Sequence, residues 1–198
     1  MSPIANTASS PDKVPRHPRV FAAVTVPAPV ALALDALARR MALPPQPAVR
    51  WTDQANQHLT LAFLGDLAAD QLDALAALLH ARPPRGPVSI TPKAIARFPS
   101  PTGGILAALV AEDAPLMALA QALATTSHRC GIAIDTRAYR PHITLAHLGK
   151  GAEMPLPDLA LEGLAFRVKR FGLYSGRRIN LADGEHYRYQ ALATFPLA

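Results

Sequence analysis

The octapeptide His58-Leu59-Thr60-Leu61-Ala62-Phe63-Leu64-Gly65 returns as His142-Ile143-Thr144-Leu145-Ala146-His147-Leu148-Gly149. The copies agree at six of eight positions and start 84 residues apart (142 − 58). That separation is too long for a solenoid, whose period is roughly 20 to 50 residues. It suits one strand drawn twice, once in each half of a duplicated domain. Both copies run apolar and β-compatible to a Gly, the pattern of a strand and its stop. Side chains alternate faces along a strand. His58, Thr60 and Ala62 are therefore expected on one face, with Leu59, Leu61 and Phe63 on the other. His142, Thr144 and Ala146 are likewise expected to oppose Ile143, Leu145 and His147. The apolar face must meet a core. The opposite face keeps an imidazole and a hydroxyl in both copies, which packing does not require but a site between two facing strands does.

The chain has 198 residues, half of them hydrophobic, enough for one domain of two packed lobes. The halves are expected at 19–85 and 86–198, with strands free to cross between them. Residues 1–18 are rich in Pro, Ser and Ala and lack a signal-peptide apolar region, so a disordered tail on a cytoplasmic protein is expected. No apolar run approaches the roughly 18 residues of a membrane span. The single cysteine, Cys130, excludes an internal disulfide and a multi-thiolate metal site. Net charge is +6, carried by 16 Arg and 4 Lys against 14 acids. Residues 164–190 hold six of those cations against Asp183 and Glu185, a local +4, which suits a polyanion or simply a solvated basic face.

Strands are expected at Val20–Val26, at both octapeptides, at Val88–Phe98 with an irregularity at Pro92, and at Ile105–Val110. Two more are expected at Phe166–Tyr174, bulged near Arg170, and Tyr187–Phe195, with Ser175–Glu185 a polar loop between them. Val30, Leu34, Leu37 and Met41 share a helical face, as do Leu72, Leu75, Leu78 and Leu79, and Leu116, Leu119, Ala120 and Leu123. Asp66 or Asp70 could cap the second helix, and Asp113 the third. Proline-rich breaks at 44–47 and 82–87 separate elements. Helices between sequence-adjacent strands indicate α+β with antiparallel sheets.

Hydrolysis of a phosphodiester requires one proton taken from water and one given to the leaving oxygen, on opposite sides of phosphorus. Histidine, with a pKa near about 6.5, suits both tasks. His58 and His142 on facing strands supply the pair. Thr60 and Thr144 are placed to donate to the non-bridging oxygens, where charge builds up. This chemistry calls for no metal or other cofactor. Which histidine is acid and which base, the spacing leaves open.

The paired His-x-Thr-Leu strands resemble those of the 2H phosphoesterases. The flanking sequence is similar to their RNA 2′,3′-cyclic phosphodiesterase branch, also called 2′-5′ RNA ligase-like. Phe98-Pro99, Tyr139-Arg140-Pro141, Phe171-x-Leu173-x-Ser175 and Phe195-Pro196-Leu197 carry that likeness over about residues 19–197. The resemblance implies two pseudo-symmetric lobes of antiparallel sheet with outer helices, a central cleft holding both motifs, and opening of 2′,3′-cyclic phosphates to 2′-phosphates. It makes His58 the proton donor and His142 the acceptor. Tyr139, Arg177 and Arg178 are candidate substrate contacts beside the two threonines. The expected partner is RNA or a nucleotide with a 2′,3′-cyclic phosphate, with no membrane, no obligate protein partner and a monomeric state. The chain departs from the family at His147, where Arg is usual, and at Gly104 and Ala107, where Arg and Trp are usual. On alternation His147 points away from His142 and stays outside the catalytic set. Three other substrates fit the same chemistry: a small cyclic nucleotide, an ADP-ribose cyclic phosphate or a 2′-5′ oligonucleotide. A non-catalytic RNA-binding module is the reading from another class, and intact His and Thr in both motifs argue against it.

Overall fold

A computed structural model describes residues 16–41, 46–81, 86–135, 137–153, 161–181 and 184–197. Residues 1–15 of the expected tail (1–18), and residues 44–45 and 82–85 of the expected proline breaks, lie outside the described residues. The elements follow in chain order as β1 (Arg16–Thr25), α1 (Ala28–Met41), β2 (Val49–Trp51), β3 (His58–Ala68) and α2 (Ala69–Ala81). Then come β4 (Val88–Ile90), β5 (Pro92–Phe98), β6 (Ile105–Val110), α3 (Ala114–Arg129), β7 (His142–Leu148), β8 (Phe166–Val168), β9 (Arg170–Leu181) and β10 (Gly184–Pro196). The fold is α+β, and every strand pairing is antiparallel.

The main sheet runs β10-β9-β1-β3-β7-β6-β5, with β2 on β7. Its two wings touch through one registered pair, Leu59 with Ile143. Beyond that pair β3 and β7 part, and the gap is the cleft. Chain halves are not sheet halves. The C-terminal strands β9 and β10 complete the wing begun by β1, and β2 crosses to β7. The helices pack on the sheet: α2 on β3 and β10, α3 on β3 and β4, α1 on β7. Leu34, Leu59, Leu75, Leu116, Leu123 and Ile143 are fully buried between these layers.

Several local expectations change. Among the described residues β1 already runs from Arg16, opposite Ala68, so residues 16–18 of the expected tail are strand. Gly65, with φ of +73°, does not stop β3, which continues to Ala68. Pro92 divides the expected Val88–Phe98 strand: β4 joins β8 in a separate two-stranded sheet, while β5 joins β6. The switch of apolar parity near Arg170 has the same origin, since β8 and β9 lie in different sheets and no bulge is involved. The polar stretch Ser175–Glu185 is no loop. Residues up to Leu181 and from Gly184 pair as a long β-ribbon, the ladder compensating for low apolar content. Asp66 caps nothing, since its carboxylate accepts the Arg19 N–H at 2.8 Å. Asp113 holds the N-cap position of α3 without a side-chain cap bond.

Candidate active site

His58 opens β3 directly after a 3₁₀ turn, Gln54–Asn56, and that turn orients the ring. The Asn56 carbonyl lies 2.7 Å from His58 Nδ1. A carbonyl only accepts, so Nδ1 carries the proton and Nε2 is the nitrogen left for the cleft. The turn is anchored from below by the buried Asp35 of α1, whose Oδ2 accepts Gln54 Nε2 at 3.1 Å and Arg39 Nε at 2.8 Å. His142 opens β7 with the same device: Nδ1 donates to the Arg140 carbonyl at 2.8 Å. Here the support comes from β5. The Phe98 ring stacks on His142 at 4.0 Å and 25°, and Arg140 covers the far ring while donating to the Pro99 carbonyl at 2.8 Å. Carrying the Leu59–Ile143 register one residue further aligns His58 with Thr144 and Thr60 with His142. The structure thus brings all four motif residues to one cleft of about 680 Å³.

Strict alternation fails inside both motifs, at the same place. On β3 the partners of Ala22 and Ala23 are Ala62 and Thr60, so Leu61 is an extra residue. On β7 the partners of Leu106 and Ala107 are Ala146 and Thr144, so Leu145 is extra. Each is a β-bulge, which inverts the facing of everything after it. Phe63, expected in the core, is 59% exposed and lines the cleft. His147, expected to face away, also lines the cleft on the side of His142 and Thr144. Two adjacent buried apolar residues, Leu61-Ala62 and Leu145-Ala146, are the trace this leaves in the sequence.

The wall behind His58 is aromatic. Phe21 lies 4.9 Å from the imidazole and Tyr189 meets it edge-on at 5.1 Å. Burial here lowers the His58 pKa, opposed by the bond to Asn56 and reinforced by the nearby His142. Burial also lowers His142, opposed by its bond to Arg140 and reinforced by the Arg140 charge. His147 is lowered by burial and by Arg50, its register partner on β2. Arg19, Arg50 and Arg178 line the cleft together with Asp53 and Asp66, so cations are in slight excess there.

The remaining expected contacts divide. Arg178 lines the cleft; Arg177, next to it on a strand and so on the opposite face, does not. Tyr139 does not line it either. The Tyr139 hydroxyl donates to the Thr60 carbonyl at 3.0 Å, and burial raises its pKa strongly, so it stays a donor. Its part is to hold β3 in place. Ala107 is fully buried in β6 opposite Thr144, and Gly104 precedes that strand. Sequence reasoning missed Phe21, Phe63, Arg19, Arg50 and Tyr189, whose approach to the histidines depends on strand order.

With that geometry described, three likenesses bear on it. A Geobacillus stearothermophilus protein named RNA 2′,3′-cyclic phosphodiesterase is 30% identical over 154 residues, 74% of this chain and 47% of that protein. The chain thus spans about half the length of that relative. The crystal structure of E. coli LigT complexed with 3′-AMP superposes with a TM-score of 0.73 at 26% identity, covering 91% of this chain and 98% of that one. The crystal structure of TT0787 of Thermus thermophilus gives 0.74 at 25% identity, covering 90% and 97%. The family described as the 2′-5′ RNA ligase superfamily matches residues 19–180. Two His-x-Thr strands meeting at one cleft, in a fold and sequence that agree over most of the chain, place this protein in the 2′-5′ RNA ligase superfamily of 2H phosphoesterases.

Proposed function

We propose that the cleft hydrolyses RNA 2′,3′-cyclic phosphate ends to 2′-phosphates, without a metal, by acid–base catalysis between His142 and His58. Neutral His142 takes a proton from water through Nε2 as the water oxygen attacks phosphorus. The bond from phosphorus to O3′ breaks on the opposite side, and protonated His58 gives its Nε2 proton to that oxygen. Thr60 and Thr144 donate to the non-bridging oxygens, whose charge grows as the bonds exchange. The assignment of acid and base, and of O3′ as the leaving atom, follows the family resemblance. The observation that carries the reading is the paired anchoring of the imidazoles. Each commits Nδ1–H to a carbonyl two residues back, so each presents the one nitrogen that can exchange a proton. Both lie in one cleft that Arg19, Arg50 and Arg178 also line. The relative named RNA 2′,3′-cyclic phosphodiesterase points to the same substrate.

The test is purified protein with 2′,3′-cyclic AMP, and with an RNA oligonucleotide ending in a cyclic phosphate, in the presence of EDTA. Chromatography separates 2′-AMP from 3′-AMP, and mainly 2′-AMP is expected. His58→Ala and His142→Ala should each lower kcat by about 10² or more with the fold intact. Turnover near wild type in either variant would sink the two-histidine mechanism. Mainly 3′-AMP would overturn the substrate orientation alone. Loss of activity in EDTA, restored by a divalent ion, would refute the metal-free reaction.

A further inference from the structure

Arg19 is the one described non-glycine residue with positive φ, +48°. An L side chain rarely holds that conformation unless its surroundings over-determine it. Here they do. The Arg19 N–H donates to Asp66 Oδ1 at 2.8 Å from the β3 side. From the β9 side the Ser175 hydroxyl donates to the Pro18 carbonyl at 2.7 Å. Asp66 is itself tied by its carbonyl to Arg16 Nη2 at 2.7 Å. Between His17, opposite Leu67, and Val20, opposite Gly65, β1 has one residue more than β3, so the chain is bulged at Pro18-Arg19. The result is that Arg19 lines the cleft, as does Arg178 of β9.

The place of this pair relative to the histidines follows from Tyr189. Its ring lies 5.1 Å from the His58 ring and reaches to Gly176, where a Cβ would come within 3.4 Å of it. The same Cβ would be 3.8 Å from the Arg19 Cβ. Gly176 therefore leaves bare backbone between Tyr189 and Arg19. Arg19 thus stands beyond His58, across the Tyr189 ring, and Arg178, two residues after Gly176 on β9 and opposite Tyr187, lines the same cleft. A 2′,3′-cyclic mononucleotide has its only phosphate, the cyclic one, at the histidines. Cations one ring further on suit the phosphates of the chain that leads to it, and guanidinium matches phosphate geometry well.

We propose that Arg19 and Arg178 form a subsite for the internucleotide phosphodiesters upstream of the cyclic end, with Asp66 the positioning residue that holds Arg19 in its left-handed conformation. This rests on the cleft acting on RNA cyclic phosphates and names the feature that makes a strand preferable to a mononucleotide.

The experiment compares kcat/KM for an RNA trinucleotide ending in a 2′,3′-cyclic phosphate with that for 2′,3′-cyclic AMP. Arg19→Gly removes the guanidinium and suits the positive φ, so it should melt no lower than wild type. Its trinucleotide-to-mononucleotide ratio should fall about fivefold or more, chiefly through KM, and the ratio of Arg178→Gln should fall likewise. Asp66→Ala should reproduce part of that fall, and Asp66→Asn should restore the ratio, because its amide oxygen still accepts the Arg19 N–H. An unmoved ratio in Arg19→Gly would overturn the subsite. So would an equal fall in Arg177→Gln, which would show diffuse attraction to a basic surface. If wild-type protein hydrolyses neither compound, the proposed function fails, and the subsite is decided by equilibrium binding. A trinucleotide ending in a 2′-phosphate should then bind about fivefold more weakly to Arg19→Gly, and equal binding would overturn the inference.

Discussion

His58 and His142 reach the same chemical state by different routes. Each has Nδ1–H committed to a carbonyl, which removes tautomeric choice and turns Nε2 to the cleft. His58 is then flanked by Phe21 and Tyr189, and His142 is stacked by Phe98, whose ring Arg140 covers. Both environments disfavour the imidazolium, so both pKa values lie below the ordinary histidine value. Catalysis needs one ring neutral and the other charged. In the free enzyme the charged form is lost as pH rises through the depressed pKa values. The kcat/KM bell should therefore peak on the acid side of about pH 6.5. A bound anionic phosphate favours both imidazolium forms, so the bell for kcat should sit at higher pH than that for kcat/KM. Initial rates with 2′,3′-cyclic AMP from about pH 4.5 to 9 check this. A rate rising steadily to the alkaline end would contradict the pair.

At the scale of elements, the cleft is made by two strands that separate and by the same bulge in each. The bulge after Thr60 and Thr144 turns Phe63 and His147 from the core to the substrate side. Separation has a cost, because strand edges that leave one another lose ladder partners for their backbone groups. Tyr139 meets that cost for β3, its buried phenol donating to the Thr60 carbonyl. Tyr139→Phe should leave this carbonyl unpaired and destabilise the fold by about 1–2 kcal/mol. That is a fall in Tm of roughly 2 to 8 °C for a domain of this size. Because the same carbonyl belongs to a candidate phosphoryl-binding residue, kcat should fall severalfold while KM changes less. Unchanged melting would show that water or another group serves the carbonyl equally well.

For the whole molecule, the family match ends at residue 180, yet β10 begins at Gly184 and is integral to the sheet. β10 covers the outer edge of β9 along most of its length. Phe195 is fully buried, stacked on Phe171 at 5.2 Å and against His80 of α2 at 4.7 Å. Ending the chain at Leu181 would strip this layer from the core and open a long edge strand, a template for aggregation. Loss of the buried Phe195 side chain alone should cost about 3–5 kcal/mol. The truncated chain is expected to be insoluble or to lack a cooperative melting transition. A soluble product that melts cooperatively and turns over substrate would contradict the assignment of β10 to the folding unit.

The primary structure by itself determined the pairing of the two His-x-Thr motifs and the α+β class. A repeated His-x-Thr between apolar residues is local information, carried by adjacent side chains and by alternation over three positions. The apolar stripes of α1, α2 and α3 are local in the same way. Alternation stopped being informative at Leu61 and Leu145, where an extra residue is accommodated only because β1 and β6 pair across it. Phe63 and His147 were therefore misplaced while His58, Thr60, His142 and Thr144 were not. The same holds for Ser175–Glu185, whose polar composition reads as loop until a partner strand supplies its hydrogen bonds. Strand order, which no short stretch encodes, brought Arg19 of β1, Arg50 of β2 and Tyr189 of β10 to one cleft. It also turned Tyr139 inward. Tertiary structure decided these placements because each depends on contacts far apart in the chain, such as Arg19 with Asp66 at 47 positions and Tyr139 with Thr60 at 79, beyond the reach of any sequence periodicity.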